Sequence, residues 1–185
     1  SRWKAAYLSE VRRYGELTPG RTLNTVFFGG GTPSLMDPDL VHAVLEEIRA
    51  TWPVSNSFEV TLEANPTSVE AGRFSGFRNA GVNRISMGIQ SLNDHDLKRL
   101  GRMHTAREGR DAFDVARKLF DRVSFDLIYA RQHQTPKEWS EELKQALNMA
   151  IDHLSLYQLT IEDGTAFGDR YAIGRLPGLP TDDSA

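Results

Sequence analysis

Strand-like and helix-like segments alternate along this sequence, and the alternation limits the folds that the chain can adopt. Strands are predicted at residues 25–28, 58–63, 84–90, 123–128 and 154–159. Their centres lie roughly 27 to 38 residues apart, which is the length of a strand and its crossover helix. Right-handed crossovers then place the strands side by side in one parallel sheet. The sequence therefore predicts a single α/β domain over residues 1–185.

Apolar residues at helical spacing predict the helices that connect these strands. The predicted helices cover residues 3–15, 38–52, 94–100 and 137–150, a segment from the turn at 65–67 to about residue 80, and a segment around 112–120. Asp37 is predicted to cap the second helix and Gly81 to end the third. Leu147 is predicted to face inward. From residue 161 the chain is rich in Gly, Pro and Asp, and a loop is predicted there.

The first predicted strand runs directly into three glycines, at residues 29–31. Val26, Phe27 and Phe28 are expected to be buried, as in a parallel strand covered on both sides. The glycines lack Cβ atoms, so they can adopt positive φ and let a ligand approach the backbone N–H groups. A strand, a glycine loop and a helix in this order predict a ligand-binding corner, with a simple tight turn as the alternative.

Polar and apolar residues alternate along the second, third and fourth predicted strands. The polar members are Glu59, Thr61, Glu63, Arg84, Ser86, Gly88, Gln90, Ser124 and Asp126. A sheet covered by helices on both faces is apolar on both, and a packed barrel has branched apolar residues inside. We therefore expect a sheet that curves around a wet or ligand-filled interior. A half-exposed edge of an open sheet is the alternative.

The composition is that of an ordinary soluble globular protein, with 25% charged residues and a net charge of −3. This charge implies no general affinity for nucleic acid. No apolar run is long enough to span a membrane and no signal-peptide pattern is present, so a cytoplasmic location is predicted. The sequence contains no cysteine, which excludes disulfides and thiolate metal sites within these residues. The five histidines show no recognised metal-ligand spacing.

Six motifs in order give the chain a family resemblance that covers nearly its whole length. They lie at residues 28–34, 63–66, 86–91, 100–102, 125–129 and 153–162. Together they resemble the radical S-adenosylmethionine (SAM) proteins of the oxygen-independent coproporphyrinogen III oxidase family, and within it the haem-chaperone branch. The resemblance implies a partial parallel (β/α)6 barrel with the cofactor inside, which agrees with the polar inner face.

The same resemblance implies a [4Fe–4S] cluster whose open iron binds SAM, so that one electron yields a 5′-deoxyadenosyl radical. The family's Cys-x3-Cys-x2-Cys motif is absent from this sequence. We therefore expect a fragment that starts downstream of the first strand and its cluster loop, and that lacks the C-terminal domain. The cluster ligands would lie outside this chain, and these residues alone are expected to be inactive. Residues 130–135 depart from the family's Gly-Leu-Pro-x-Gln-Thr, which leaves the shape of that loop open.

The resemblance also implies roles for individual residues. Gly30 and Gly31 would contact the methionyl end of SAM through their backbone, and Glu63 would bind its ribose hydroxyls. Family members can hold a second SAM, and the matching positions are Gly31, Thr32, Gln90, Arg102, Asp126 and Thr160. Carboxylates accept from hydroxyls and Arg binds carboxylates, so the chemistry is consistent. Alternatively, Arg102 is a surface charge and Asp126 a partner for a backbone N–H.

The resemblance predicts a protein that binds SAM and carries haem to an acceptor protein, with no nucleic acid partner and no transmembrane segment. The alternative within the family is an oxidase that decarboxylates coproporphyrinogen III to protoporphyrinogen IX. A third reading is an unrelated barrel that uses residues 29–31 for a phosphate. His104 or His133 could ligate haem, but each is expected to be a surface residue.

Overall fold

Five parallel strands form a curled half-barrel with connecting helices, in a computed structural model that describes residues 2–181. The strands are β1 Leu23–Phe28, β2 Val54–Ala64, β3 Arg84–Gln90, β4 Arg122–Tyr129 and β5 His153–Gln158. The helices are α1 Arg2–Leu17, α2 Pro38–Thr51, α3 Ser68–Ala71, α4 Phe74–Ala80, α5 Asp94–Arg99, α6 Ala106–Leu119, α7 Pro136–Met149 and α8 Ala166–Ala172. The strand order β1-β2-β3-β4-β5 follows the sequence, which confirms the predicted α/β half-barrel.

The register of the sheet aligns the polar residues of neighbouring strands. Glu63 lies opposite Ser86, and Ser86 lies opposite Ser124. Further along β4, Asp126 lies opposite Ser155. Because the strands are parallel, the residues of each row lie on the same face of the sheet, and successive rows lie closer to the carboxyl ends of the strands. The polar face predicted from the alternation is therefore continuous across β2 to β5.

The opposite face of the sheet carries the hydrophobic core. The alternate residues of β2, β3 and β4 are fully buried there: Val60, Leu62, Ile85, Met87, Val123, Phe125 and Leu127. Helical aromatics pack on them, and the ring of Phe113 meets that of Phe125 edge-on, with centroids 5.2 Å apart. The core thus lies between the sheet and its helices, and the polar face is left for other contacts.

The predicted helix ends agree with the structure, but one predicted helix is broken in two. The side chain of Asp37 accepts from the N–H of Asp39 at 2.9 Å, and Gly81 ends α4 with φ 108°. Between α3 and α4, the N–H of Arg73 closes a tight turn onto the carbonyl of Glu70 at 2.9 Å. Gly72 lies inside this turn and is a poor helix former, so the helix is interrupted there.

Two residues that we predicted to be buried are exposed. Phe27 is 57% exposed because it points to the concave polar face, and because β1 is an edge strand that pairs only with β2 among the described strands. Leu147 is also exposed, because it follows the fully buried Ala146 on α7 and is turned about 100° away from it.

The tail beyond residue 161 contains a helix, so its prediction as a loop was wrong. α8 begins after Thr165, whose hydroxyl accepts from the N–H of Gly168 at 3.1 Å. Gly168 is its one buried residue, which explains why no apolar period marked it in the sequence. Further on, Leu176 is buried. Ser1 and residues 182–185 lie outside the described residues, and a single domain over 1–185 stays a prediction.

No helix within residues 2–181 is both long and apolar enough to cross a membrane.

Replacing Phe113 with Ala should destabilise the protein strongly, because it removes a buried ring from the contact with Phe125. We expect the free energy of unfolding to fall by about 3–5 kcal/mol. Urea denaturation followed by circular dichroism measures this. Val115→Ala on the same helix is the matched control, since Val115 is partly exposed. A loss for Phe113→Ala no larger than the control's would contradict this position for the core.

Candidate functional site

A polar cavity of about 260 Å³ opens on the concave face, at the carboxyl ends of the strands. Residues that lie on the strands or in the loops after them line it, and all five strands contribute. Six of the eight predicted site residues are among them: Gly31, Thr32, Glu63, Gln90, Arg102 and Asp126. The carboxyl ends of parallel strands are the usual place for ligand sites in α/β folds. The cavity therefore lies where the polar alternation predicted a ligand-filled interior.

The glycine loop after β1 needs glycine for two separate reasons. Gly30 and Gly31 have φ of 76° and 52°, a region that residues with a Cβ rarely adopt. At Gly29 the reason is space, because a Cβ there would lie 2.8 Å from the ring of Phe27. The N–H of Gly30 donates to Glu63 Oε2 at 3.2 Å, so a carboxylate already occupies the backbone donor of this loop.

Gly30 itself faces a neighbouring cavity of about 490 Å³ with Gly31 and Thr32. This second cavity is mostly apolar and is lined by side chains of α1, β1 and α2, including Tyr7, Val26 and Val44. The glycine loop thus forms a wall shared by a polar and an apolar cavity.

Gln90 is held in an uncommon backbone conformation at the end of β3. Its φ is 70°, and the pairing between β3 and β4 shifts register between Met87 and Gln90. Its amide Nε2 donates a short hydrogen bond to Asp126 Oδ2. A Cβ at Gly88 would lie 3.3 Å from this amide nitrogen, so a side chain there would press on the Gln90 amide. Non-glycine residues at positive φ concentrate at functional sites, since the surrounding structure has to hold them.

Two charged groups that line the cavity, Asp126 and Arg102, lack compensating ion pairs among the described residues. Burial raises the pKa of Asp126 to about 6, although the hydrogen bond from Gln90 and the charge of Arg102 lower it. Within residues 2–181, no carboxylate forms an ion pair with Arg102. A half-buried acid with a raised pKa beside an unpaired cation is typical of a ligand site.

Thr160 and the two histidines considered as haem ligands, His104 and His133, do not line this cavity. Thr160 is exposed, lies beyond the end of β5 and does not line the cavity. His104, which we expected at the surface, is only 7% exposed. Its Nε2 lies 3.0 Å from the carbonyl oxygen of Ile89, and burial lowers its pKa. His133 is exposed, as predicted.

The cavity also contains residues that we had not singled out as site residues. These are Pro33, Ser34, Ala64, Asn65, Ser86, Gly88, Ser155 and Tyr157. Ser86 and Gly88 belong to the polar alternation of β3, and Ser155 and Tyr157 show the same alternation on β5. That signal was present in the sequence and could have identified these four residues.

The loop at residues 130–135, whose shape the sequence left open, lines a separate cavity of about 410 Å³ between α5 and α7. Ala130 and His133 both have positive φ, at 57° and 60°. Arg131 is buried and forms ion pairs with Asp96 and Glu142. Two carboxylates thus neutralise the cation of this loop, in contrast with the unpaired Arg102.

A half-barrel of parallel strands with a polar cavity at their carboxyl ends defines the class of protein. Comparison with known families identifies that class. Residues 5–146 match the family model of the radical SAM superfamily. The chain therefore belongs to the radical SAM superfamily. Membership implies SAM and a [4Fe–4S] cluster as cofactors.

Among individual proteins, the chain is 43% identical over 178 residues to the haem chaperone HemW of Haemophilus influenzae, which covers 95% of this chain and 45% of that protein. It is 46% identical over 169 residues to the mitochondrial radical S-adenosyl methionine domain-containing protein 1 of Bos taurus, covering 91% and 38%. The chain thus spans less than half the length of these curated relatives.

A solved structure, that of the radical SAM enzyme coproporphyrinogen III oxidase (HemN) from Escherichia coli, has the same fold. It superposes with a TM-score of 0.79 at 24% identity, covering 97% of this chain and 41% of that one. At this identity the likeness concerns the fold alone. It agrees with the partial barrel that the family resemblance implied.

The residues present fit one of the two implied cofactors. For SAM, the cavity offers glycine backbone donors, carboxylates and an unpaired guanidinium, the groups that bind a methionyl moiety and a ribose. For the cluster, the sequence contains no cysteine, and no three acidic or histidine residues within 2–181 gather as metal ligands. These residues therefore supply no ligand set for iron.

Replacing Asp126 with Asn should change how stability depends on pH. Folding raises the pKa of Asp126 from 3.8 to about 6, so its contribution to stability is full below pH 3.8 and is lost as the pH rises through 6. The variant avoids this loss. Relative to the wild type, its free energy of unfolding should therefore rise by about 2 kcal/mol between pH 4 and pH 7.

Urea denaturation at pH 4, 5, 6 and 7 measures this difference. Asp111→Asn is the control, since Asp111 is exposed on α6 and should show no such trend. A difference between Asp126→Asn and the wild type that stays constant with pH would contradict a raised pKa at this position.

Proposed function

We propose that this chain forms the SAM-binding part of a haem chaperone related to HemW. The observation that carries the proposal is the polar cavity at the carboxyl ends of the strands, which gathers six of the residues assigned by family resemblance. The identity of 43% to HemW of Haemophilus influenzae over 95% of the chain supports the chaperone branch. Since the chain spans less than half of that relative, the activity of the whole protein belongs to the proposal.

The cavity suggests how this chain would hold SAM. Gly31 lines the polar cavity and Gly30 precedes it in the same loop, so the methionyl group would lie along this loop. Glu63 would exchange its bond to the Gly30 N–H for the ribose hydroxyls, since a carboxylate oxygen accepts from either donor. SAM supplies a sulfonium whose cleavage is the chemistry associated with the superfamily. This chain's own part is to bind and orient it.

Other residues that line the cavity offer the groups that the methionyl part of a second SAM would need. Arg102 is free to bind a carboxylate. Gln90 and Asp126 form a hydrogen-bonded pair that can accept from an amine or a hydroxyl. The resemblance assigned these three residues, with Gly31, Thr32 and Thr160, to a second SAM. The exposed Thr160 would have to move towards the cavity to take part.

The chaperone and the oxidase differ in what the full-length protein does with a tetrapyrrole. We expect the purified full-length protein to bind haem stably, as a spectral shift of the Soret band that survives gel filtration, and to form no protoporphyrinogen from coproporphyrinogen III. Formation of protoporphyrinogen with SAM and a reductant would favour the oxidase. Absence of both haem binding and SAM binding would overturn the proposal and favour a barrel that binds a phosphate.

Replacing Glu63 with Gln should weaken SAM binding, because the ribose hydroxyls lose a charged acceptor. A hydrogen bond to a charged group contributes roughly 1.5–3 kcal/mol, so we expect Kd to rise about 10- to 100-fold. Isothermal titration calorimetry on the full-length protein measures this change.

Glu59→Gln is the matched control for that measurement. Glu59 lies on the same strand and the same face, four residues closer to the amino end, where it pairs with Arg84 at 3.2 Å and with Arg122. The control should leave Kd within about twofold of the wild type. Equal effects of the two variants would contradict a ribose contact at Glu63.

A cytoplasmic location and a haem-acceptor protein as partner complete the proposal. The relative from Bos taurus is named as mitochondrial, so location differs within this set of related proteins. Cell fractionation tests the cytoplasmic location. Co-purification of a haem-loaded acceptor with the full-length protein tests the partner.

A further inference from the structure

Two buried glutamates outside the cavity each connect two neighbouring loops of its rim. Glu70 on α3 is 5% exposed and Glu142 on α7 is 7% exposed. Neither lines the polar cavity on the concave face, here called the SAM cavity, and neither was identified from the sequence. Buried carboxylates are rare unless their oxygens are satisfied by several donors, so the identity of those donors shows what each one holds.

Glu70 joins the loop after β1 to the loop after β2. The hydroxyl of Ser34 donates a short hydrogen bond to its Oε2, which also accepts from the N–H of Asn65 at 2.7 Å. The side-chain amide of Asn65 donates to its Oε1 at 3.3 Å. Arg73, from the same region of the chain, donates to the carbonyl of Ser34 at 3.1 Å. Both Ser34 and Asn65 line the SAM cavity.

Glu142 joins the loop after β3 to the loop after β4. Its Oε1 accepts from the hydroxyl of Ser91 and from the N–H of Leu92, each at 2.7 Å. Its Oε2 accepts from the buried guanidinium of Arg131 in the loop after β4. Ser91 directly follows Gln90, the residue held at positive φ that donates to Asp126. Glu142 therefore fixes the backbone immediately next to the Gln90–Asp126 pair.

We infer that Glu70 and Glu142 are positioning residues that set the two halves of the SAM cavity, an inference that rests on the proposed function. Glu70 fixes the glycine-loop half through Ser34 and Asn65. Glu142 fixes the half with Gln90 and Asp126 through Ser91 and Arg131. Each carboxylate accepts from two different loops, so neither loop can shift alone without breaking a hydrogen bond to it. Charge-assisted hydrogen bonds in a buried setting are strong and directional, which suits this task.

The test replaces each glutamate with Gln in the full-length protein. Glutamine keeps the size of the side chain but loses the negative charge and turns one acceptor oxygen into a donor. At Glu142, whose two oxygens accept from different loops, it can accept from only one of them. At Glu70, where Oε2 accepts from both loops, it leaves them a weaker, uncharged acceptor. Hydrogen exchange without SAM is the first readout. Glu70→Gln should speed exchange in peptides covering 29–36 and 63–67, and Glu142→Gln in those covering 90–93 and 130–135. A variant that speeds exchange equally in all four peptides, or in none, would overturn the inference.

SAM affinity is the second readout. Each variant should raise the Kd for SAM by about tenfold, the effect of losing one hydrogen bond to a charged group. Glu138→Ala is the control, because Glu138 lies one turn from Glu142 on α7 and caps the helix with Thr135. The control should lower Tm and leave Kd unchanged. A rise in Kd for the control equal to that for Glu142→Gln would mean that lost stability alone weakens binding, and would overturn the inference.

A double-mutant cycle tests the Glu70 contact directly, and its Ser34→Ala arm does so even if Glu70→Gln folds poorly. Ser34→Ala removes the same hydrogen bond from the other loop. Combined with Glu70→Gln, it should raise Kd no further than the stronger single variant. Additive effects would overturn the assignment. If the wild-type protein binds no SAM, the proposed function fails, whereas the hydrogen-exchange pattern still decides whether the two glutamates hold the loops.

Discussion

The alternation of polar and apolar residues along β2, β3 and β4 is the constraint on which the rest of the structure depends. Because side chains alternate across a strand, only one face of this sheet can pack against helices. The other face carries Glu, Arg, Asp and Ser side chains that need water, partners or a ligand. A curled half-barrel meets both demands, since its convex side buries the apolar residues and its concave side encloses a polar space.

The concave face satisfies its charges differently at its two ends. Near the amino ends of the strands, Glu59 pairs with Arg84 and Arg122, and Arg122 also pairs with Asp152 at 2.9 Å. Near the carboxyl ends, Arg102 has no ion pair within the described residues and burial raises the pKa of Asp126. The amino end is thus closed by internal ion pairs. The carboxyl end keeps its charges available for a ligand, and the positioning residues Glu70 and Glu142 hold the loops around them.

Features that depend on short-range patterns could be predicted from the sequence. The glycine corner, the Asp37 cap and the polar faces of β2 to β4 each follow from residues close in the chain, and the resemblance brought Gln90, Arg102 and Asp126 to the site. Features that depend on tertiary position could not. The exposure of Phe27 follows from its place on an edge strand, and α8 lacks an apolar face that would mark it. The contacts of Glu70 and Glu142 join residues up to 51 positions apart, which no local pattern reveals.

The most direct test of the central claim is a crystal structure of the full-length protein with SAM bound. We expect the ribose within hydrogen-bonding distance of Glu63 and the methionyl group along Gly30 and Gly31, with Glu63 no longer bonded to the Gly30 N–H. SAM bound elsewhere, for instance in the cavity between α5 and α7, with the bond from Gly30 to Glu63 intact, would contradict the assignment of the concave cavity as the cofactor site.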